Sequence, residues 1–325
     1  MKEWYIGCDL GGTNLRAALV NVTNGSVRQA ISTPTLSREG PNAVIQRMID
    51  LFHRVIKESG IPLDEIGGIG IGVPGTVDME RGVVLFLPNL PTTWPNIPLA
   101  EYIQKGTTLP TVILNDVRAI TFGEWRFGAG QGVDTMACFA IGTGIGGGLV
   151  INRQLHLGFG GTAGELGHIT VDVNGPRCGC GNYGCVEVFA SGPAIAAMGI
   201  KAVVQGWTTQ IGTLVDYDLN RITPEVIARA ARNGDAIARE IFEIAGGYIG
   251  TAVANVVVAI NPQRVVIAGG VAQAGDLLLE PIRRTLHKRV FVAPKERVEI
   301  VPSTLGNNAG VIGAALWAHH YHTKS

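Results

Sequence analysis

Twice along this chain a short β-prone run breaks at a glycine-rich turn and resumes as a second β-prone run, a pattern few folds accommodate. The first instance is Trp4 to Cys8, the turn Asp9-Leu10-Gly11-Gly12-Thr13-Asn14, then Leu15 to Val22. The second is Met136 to Ile141, the turn Gly142-Thr143-Gly144, then Gly146 to Val150. Each reads as a β-hairpin, and the recurrence predicts two similar halves. Glycine has no β-carbon, so such turns let backbone N–H groups approach an anion closely. The first turn alone could be a plain hairpin. A third glycine site, Gly269-Gly270 after the β-prone run Arg264 to Ala268, favours the anion reading.

Between the hairpins the periodicity changes. From Pro41 to Ser59 the apolar residues Val44, Ile45, Met48, Leu51, Phe52, Val55 and Ile56 recur at helical spacing, and Gly60 is a stop. Ile66 to Val73 reads as a buried strand closed by Pro74-Gly75, and Thr111 to Leu114 as another. Asn115-Asp116 then opens a helix to about Phe127, after which Gly128, Gly130 and Gly132 mark a break. A long helix is predicted from Asp235 to about Ile260, ended by Asn261-Pro262, and a last one from Gly310 to about Tyr321. Strands and helices in this order predict an α/β fold in two lobes. The expected division is residues 1–116, completed by the C-terminal helix 310–325, and a larger lobe over 117–309.

Composition narrows the partners. Lys+Arg and Asp+Glu are 26 each, so no basic excess drives binding to phosphate backbones, and no nucleic-acid partner is expected. Only 16% of residues are charged and 46% are apolar, which predicts much buried surface and an apolar subunit interface, hence an oligomer. The apolar stretch Ile244 to Ile260 holds Gly246, Gly247, Gly250, Thr251 and Asn255 and falls short of the roughly 20 residues of a membrane span; it is expected to be a core helix, with no membrane partner. Met1 to Trp4 run directly into the first strand, leaving no apolar core for a signal peptide. A cytoplasmic protein is expected.

Three of the five cysteines lie within eight residues. His168-x9-Cys178-x-Cys180-x4-Cys185 supplies one imidazole and three thiolates, a set suited to a closed tetrahedral zinc site. Ligation entirely by protein points to one structural ion per chain. Cys8 and Cys138 lie in predicted strands and read as core thiols. No G-x-x-x-x-G-K-[ST] occurs, so there is no P-loop. Gly142-x-Gly144-x-x-Gly147 matches the dinucleotide fingerprint, and Glu165 lies about twenty residues on, but that fingerprint must open a helix and here Leu149-Val150-Ile151 continues as strand.

These segments together resemble the ROK sugar kinases, a family that shares its fold with hexokinase, actin and the heat-shock ATPases. The resemblance rests on Asp9-Leu10-Gly11-Gly12-Thr13-Asn14-Leu15-Arg16, Leu114-Asn115-Asp116, and Gly142-Thr143-Gly144-Ile145-Gly146-Gly147-Gly148. Its most specific parts are Glu165-Leu166-Gly167-His168 and Cys178-Gly179-Cys180-Gly181-Asn182-Tyr183-Gly184-Cys185-Val186-Glu187. It implies a two-lobed actin/hexokinase-like (ribonuclease H-like) ATPase fold closing over sugar and nucleotide, and an ATP- and Mg²⁺-dependent hexose kinase, nearest in pattern to the glucokinases.

By the same resemblance Gly11, Gly12, Thr13, Asn14 and Arg16, with Thr143 and Gly144, hold the nucleotide phosphates, and Gly269 and Gly270 lie near the adenosine. Asp9 organises Mg²⁺ through water, since magnesium keeps several waters; it could also cap the turn. Asn115, Asp116, Glu165, His168 and Glu187 line the sugar site, joined by Gly75 and Asn89. Asp116 is the candidate base for the sugar hydroxyl, although its position also suits a helix N-cap. His168 is expected to ligate zinc through one ring nitrogen and meet the sugar through the other, so metal loss should weaken sugar binding and leave ATP binding nearly unchanged. Fructose, mannose, N-acetylglucosamine and N-acetylmannosamine fit the same motifs as glucose, and polyphosphate remains open as donor. The family also includes sugar-responsive transcriptional repressors with an N-terminal winged helix, for which no segment precedes the hairpin at residue 4.

Overall fold

The computed structural model describes residues 2–87 and 94–324. In chain order its first elements are β1 (Trp4–Leu10), β2 (Asn14–Asn21), β3 (Val27–Pro34), α1 (Pro41–Ser59), β4 (Ile66–Val73), β5 (Thr76–Asp78), β6 (Val83–Phe86), α2 (Leu99–Thr107), β7 (Thr111–Asn115) and α3 (Asp116–Phe127). There follow β8 (Met136–Ile141), β9 (Ile145–Ile151), β10 (Gln154–Leu155), α4 (Val186–Ala190), α5 (Gly192–Val204), α6 (Pro224–Arg232), α7 (Ala236–Ile260), β11 (Arg264–Ala268), α8 (Asp276–Arg289), β12 (Glu299–Pro302) and α9 (Ala309–Lys324). The chain forms two compact units, one of residues 1–131, 155–163 and 304–325, the other of 132–154 and 164–303.

Both units are built on one plan. The first sheet has the order β3-β2-β1-β4-β7 and the second β10-β9-β8-β11-β12. In each, an antiparallel hairpin is followed by two strands parallel to its first member: β1 and β2 pair antiparallel while β1, β4 and β7 run parallel. Likewise β8 and β9 pair antiparallel while β8, β11 and β12 run parallel. The two halves expected from the repeated glycine turns are present as a repeated topology.

In the first unit α1 buries Val44, Met48, Leu51, Phe52 and Val55 in one cluster with Ile6, Cys8, Ile69 and Ile71 of the sheet. A second cluster joins Ala18, Val20 and Leu114 to Val311, Ala314, Ala315 and Ala318 of α9. There α9 approaches nearly to backbone contact. A β-carbon on Gly7 would lie 1.7 Å from the Val311 carbonyl oxygen, and one on Gly70 would lie 1.8 Å from that of Ala314. On its other side α9 packs on α3, where a β-carbon on Gly313 would lie 1.7 Å from the Ala119 carbonyl oxygen.

This packing moves the expected boundary. The first unit runs on to residue 131 and not to 116, because α3 is held by α9. The buried Glu124 of α3 reinforces it by accepting from Ala129 N at 2.8 Å, Leu305 N at 2.9 Å and Thr304 N at 3.2 Å. In the second unit α7 is long and apolar enough to cross a bilayer by composition, but 61% of its most apolar stretch is buried. Its Ile241, Phe242, Ala245, Ile249, Val253 and Val257 are core residues, as the sequence suggested.

Candidate active site

In the first unit the candidate residues gather at the carboxyl ends of parallel strands, where α/β sheets place ligands. Asp9 pairs in register with Gly72 of β4, and Val73 with Asn115 of β7. Gly72 keeps the neighbouring strand thin, since a β-carbon there would lie 3.3 Å from the Asp116 Cα. Two acids therefore share one sheet end. Burial and the nearby Asp116 raise the Asp9 carboxyl to about 7, against a smaller lowering influence of Arg16. Arg16 donates to Asn308 Oδ1 at 2.6 Å and Ser32 Oγ at 3.2 Å, while its Nε is buried without a partner among the described residues.

At the start of α3 it is Asn115, not Asp116, that caps the helix. The Asn115 Oδ1 accepts from Val117 N at 3.1 Å and Arg118 N at 3.2 Å, and its amide donates to the Gly75 carbonyl at 3.2 Å. Asn115 is buried, and its side chain ties the start of α3 to Gly75; an amide carries two N–H donors, so one bond to Gly75 is compatible with the expected sugar contact. Gly75 holds φ +92°, a conformation suited to glycine. Asp116 is the first helical residue, and its Oδ1 accepts from Val117 N at 2.8 Å. Asn89 lies outside the described residues.

The turn of the first hairpin is braced from behind. Thr35 Oγ1 donates to the Gly11 carbonyl at 2.6 Å, Thr35 N to that of Thr13 at 2.8 Å, and Ser37 Oγ to that of Gly12 at 3.3 Å. Three carbonyls are thus engaged in a turn whose Thr13 and Asn14 are exposed, which suits a turn that offers N–H groups to an anion. Thr35 and Ser37 carry no motif of their own, and sequence reading missed them.

The second unit repeats the arrangement. Gly142 N donates to the Gly144 carbonyl at 2.9 Å, closing the turn between β8 and β9. Gly269, at the end of the adjacent parallel strand β11, has φ +87°, and a β-carbon there would lie 2.3 Å from the Ile141 carbonyl oxygen. The Gly142 turn and the Gly269-Gly270 site thus lie side by side at one end of the sheet. Glu165-Leu166-Gly167-His168 is pressed on β9, with a Gly167 β-carbon placed 1.7 Å from the Ile145 carbonyl oxygen. The Glu187 Oε2 accepts from Ile145 N at 2.9 Å.

Four metal-ligating side chains converge beside that turn. The donor atoms of His168, Cys178, Cys180 and Cys185 all lie within 4.8 Å of one another. Cys180 Sγ is 3.7 Å from Cys185 Sγ, and Cys178 Sγ is 3.7 Å from His168 Nδ1. Tetrahedral zinc with Zn–S about 2.3 Å sets its thiolates about 3.8 Å apart, so the set fits the ion. Burial pushes the Cys178 thiol up to about 12, while the Asn182 backbone N–H draws Cys180 down. Because Nδ1 faces the cysteines, Nε2 of His168 is the nitrogen left for another partner. Cys178 Sγ also lies 3.7 Å from Glu187 Oε1. Cys8 and Cys138 are buried in their strands.

Comparison with known proteins agrees with this geometry. The ROK family profile matches residues 5–321. A glucokinase of Halalkalibacterium halodurans is 35% identical over 315 residues, covering 96% of this chain and 93% of its own. A xylose repressor of Caldicellulosiruptor bescii is 34% identical over 309 residues, covering 95% of this chain but 76% of the repressor. The crystal structure of a ROK family glucokinase from Streptomyces griseus in complex with glucose and AMPPNP superimposes with a TM-score of 0.84 at 32% identity, covering 98% of this chain and 99% of that one. A profile match over nearly the whole length, on two units of one topology with the motif residues at their strand ends, means that this chain belongs to the ROK family and has its two-lobed actin/hexokinase-like fold.

Proposed function

We propose that this protein is an ATP-dependent hexose kinase whose preferred acceptor is glucose, giving glucose 6-phosphate. The observation that carries this reading is the Asp9 and Asp116 pair at one sheet end of a chain so similar to a glucokinase that binds glucose and AMPPNP. Phosphoryl transfer asks for positioning and charge neutralisation more than covalent chemistry. In this reading Asp116 takes the proton of the attacking sugar hydroxyl. That oxygen bonds to the γ-phosphorus in line, the bond to the bridging β–γ oxygen breaks, and ADP leaves. Gly11, Gly12, Thr13, Asn14 and Arg16, with Thr143 and Gly144, cradle the phosphates, and Gly269-Gly270 lies at the adenosine.

Asp9 would hold Mg²⁺ through water, and the ion would neutralise charge on the phosphates. Asn115, Asp116, Glu165, His168 and Glu187 offer hydrogen bonds to the sugar, with Gly75 beside Asn115 in the same pocket. The cysteines and His168 would hold one structural zinc, and the chain works as a homodimer or homotetramer.

A coupled assay over glucose, fructose, mannose, N-acetylglucosamine and N-acetylmannosamine, with ATP or polyphosphate as donor, tests the reading. Glucose with ATP should give the highest kcat/KM. Higher values for another sugar would overturn glucose, and no phosphorylation of any would overturn the kinase. The xylose repressor match favours a second reading, a sugar-responsive regulator. Sugar binding without turnover, together with a salt-dependent DNA shift, would establish that one instead.

A further inference from the structure

We propose that Glu187 is a positioning residue for the nucleotide turn, tying Gly142–Ile145 to the metal-binding loop. The inference rests on the kinase reading above and deepens it, because it makes the metal loop act on the nucleotide phosphates as well as on the sugar. Glu187 is the second residue of α4, and the ligand Cys185 is the N-cap of that helix. Whatever fixes Cys185 therefore fixes where the Glu187 backbone starts. From there the carboxylate reaches Ile145 N at 2.9 Å.

That contact lies where strand resumes after the turn, and the turn is shaped around it. A β-carbon on Gly144 would sit 2.4 Å from Glu187 Oε2, so glycine at 144 is what admits the carboxylate. The opposite end of the turn is held by the same segment: Gly192 N donates to the Gly142 carbonyl at 2.8 Å, and Ser191 N donates to the Glu187 carbonyl at 3.1 Å. Residues 187–192 thus hold both ends of the turn, and the one side-chain strand of that clamp starts two residues from a metal ligand. This reverses the expectation that ATP binding would be nearly indifferent to the metal. A carboxylate has lone pairs to spare after one N–H contact, so the clamp is compatible with a sugar hydroxyl on the same group.

Sugar-free measurements isolate this role. In ligand-free protein carrying its zinc, hydrogen exchange at Ile145 should speed up about tenfold or more in Glu187→Ala, the scale of one lost hydrogen bond to a charged acceptor. Calorimetry with AMPPNP and Mg²⁺ but no sugar should show Kd rising about tenfold on the same ground. Glu187→Gln keeps an acceptor oxygen for Ile145 N and should stay within about threefold on both measures.

Zinc content should remain at about one per chain in both variants, the number one four-ligand site holds. Zinc-free Cys180→Ser should show the same two losses, and adding Glu187→Ala to it should deepen them little. Unchanged exchange at Ile145 in Glu187→Ala would overturn the clamp even if sugar binding suffers. A wild-type protein that binds no nucleotide would overturn the kinase reading separately, while the exchange measurement would still decide the clamp.

Discussion

Asp116 and Asn115 are neighbours with divided duties. Asn115 caps α3 and holds Gly75, while Asp116 is the acid at that strand end. Asp116→Asn should keep the helix start and sugar affinity while kcat falls by roughly 10²–10⁴, the usual worth of a general base. Calorimetry beside steady-state kinetics checks this, and a variant keeping more than about a tenth of wild-type kcat would remove Asp116 from the role. Asp9 makes a prediction in pH. Its carboxyl is raised from 3.8 to about 7, so between those values the folded state binds more protons than the unfolded one. Stability from this group is therefore full at low pH and declines as pH rises toward 7. Thermal melting of ligand-free protein, compared with Asp9→Asn across that window, should show a slope in the wild type that the variant lacks.

At the scale of elements, α9 and the metal loop each decide more than their length suggests. The α9 helix lies on β1 and β4 only because Gly7 and Gly70 carry no side chain. Gly70→Ala must push the helix off the sheet, and overpacking of this kind costs about 1–3 kcal/mol or more; denaturant unfolding should show a lowered midpoint with a similar slope. The metal loop should behave as one piece. Cys180→Ser should lose the zinc, melt earlier and raise the sugar KM, because Nδ1 of His168 points at the cysteines and orients the ring. Metal analysis and kinetics on the same preparation test it: a zinc-free variant with unchanged sugar KM would overturn the coupling of the ion to the sugar through His168.

Over the whole molecule, the two units repeat one strand order and place a glycine turn at the same point of each sheet. Neither turn resembles a P-loop, because each joins two antiparallel strands instead of a strand to a helix. The chain crosses between units at 131/132, 154/155, 163/164 and 303/304. The first-unit segments next to the first and last of these crossings are held to Glu124 through Ala129, Thr304 and Leu305. A single buried carboxylate thus fastens the first unit where the chain first leaves it and where it last returns. Its position in α3, among ordinary helical residues, gives no hint of this in the chain.

The sequence by itself determined whatever is local. Hairpin turns, the helix α1 with its Gly60 stop, the strand Ile66–Val73 and the His168, Cys178, Cys180, Cys185 set follow from periodicity, turn chemistry and ligand type within short windows. Family motifs extended that to Asp9, Asp116 and Glu187. Only the tertiary structure decided which neighbour each residue serves: that Asn115 caps and Asp116 does not, that α3 belongs with α9, and that Glu187 holds Ile145. These contacts join residues as far apart as 42 positions between Ile145 and Glu187 and 181 between Glu124 and Leu305. Hydrogen bonding and close packing act through space, and a chain that states the residue types does not state which of them the sheets bring together.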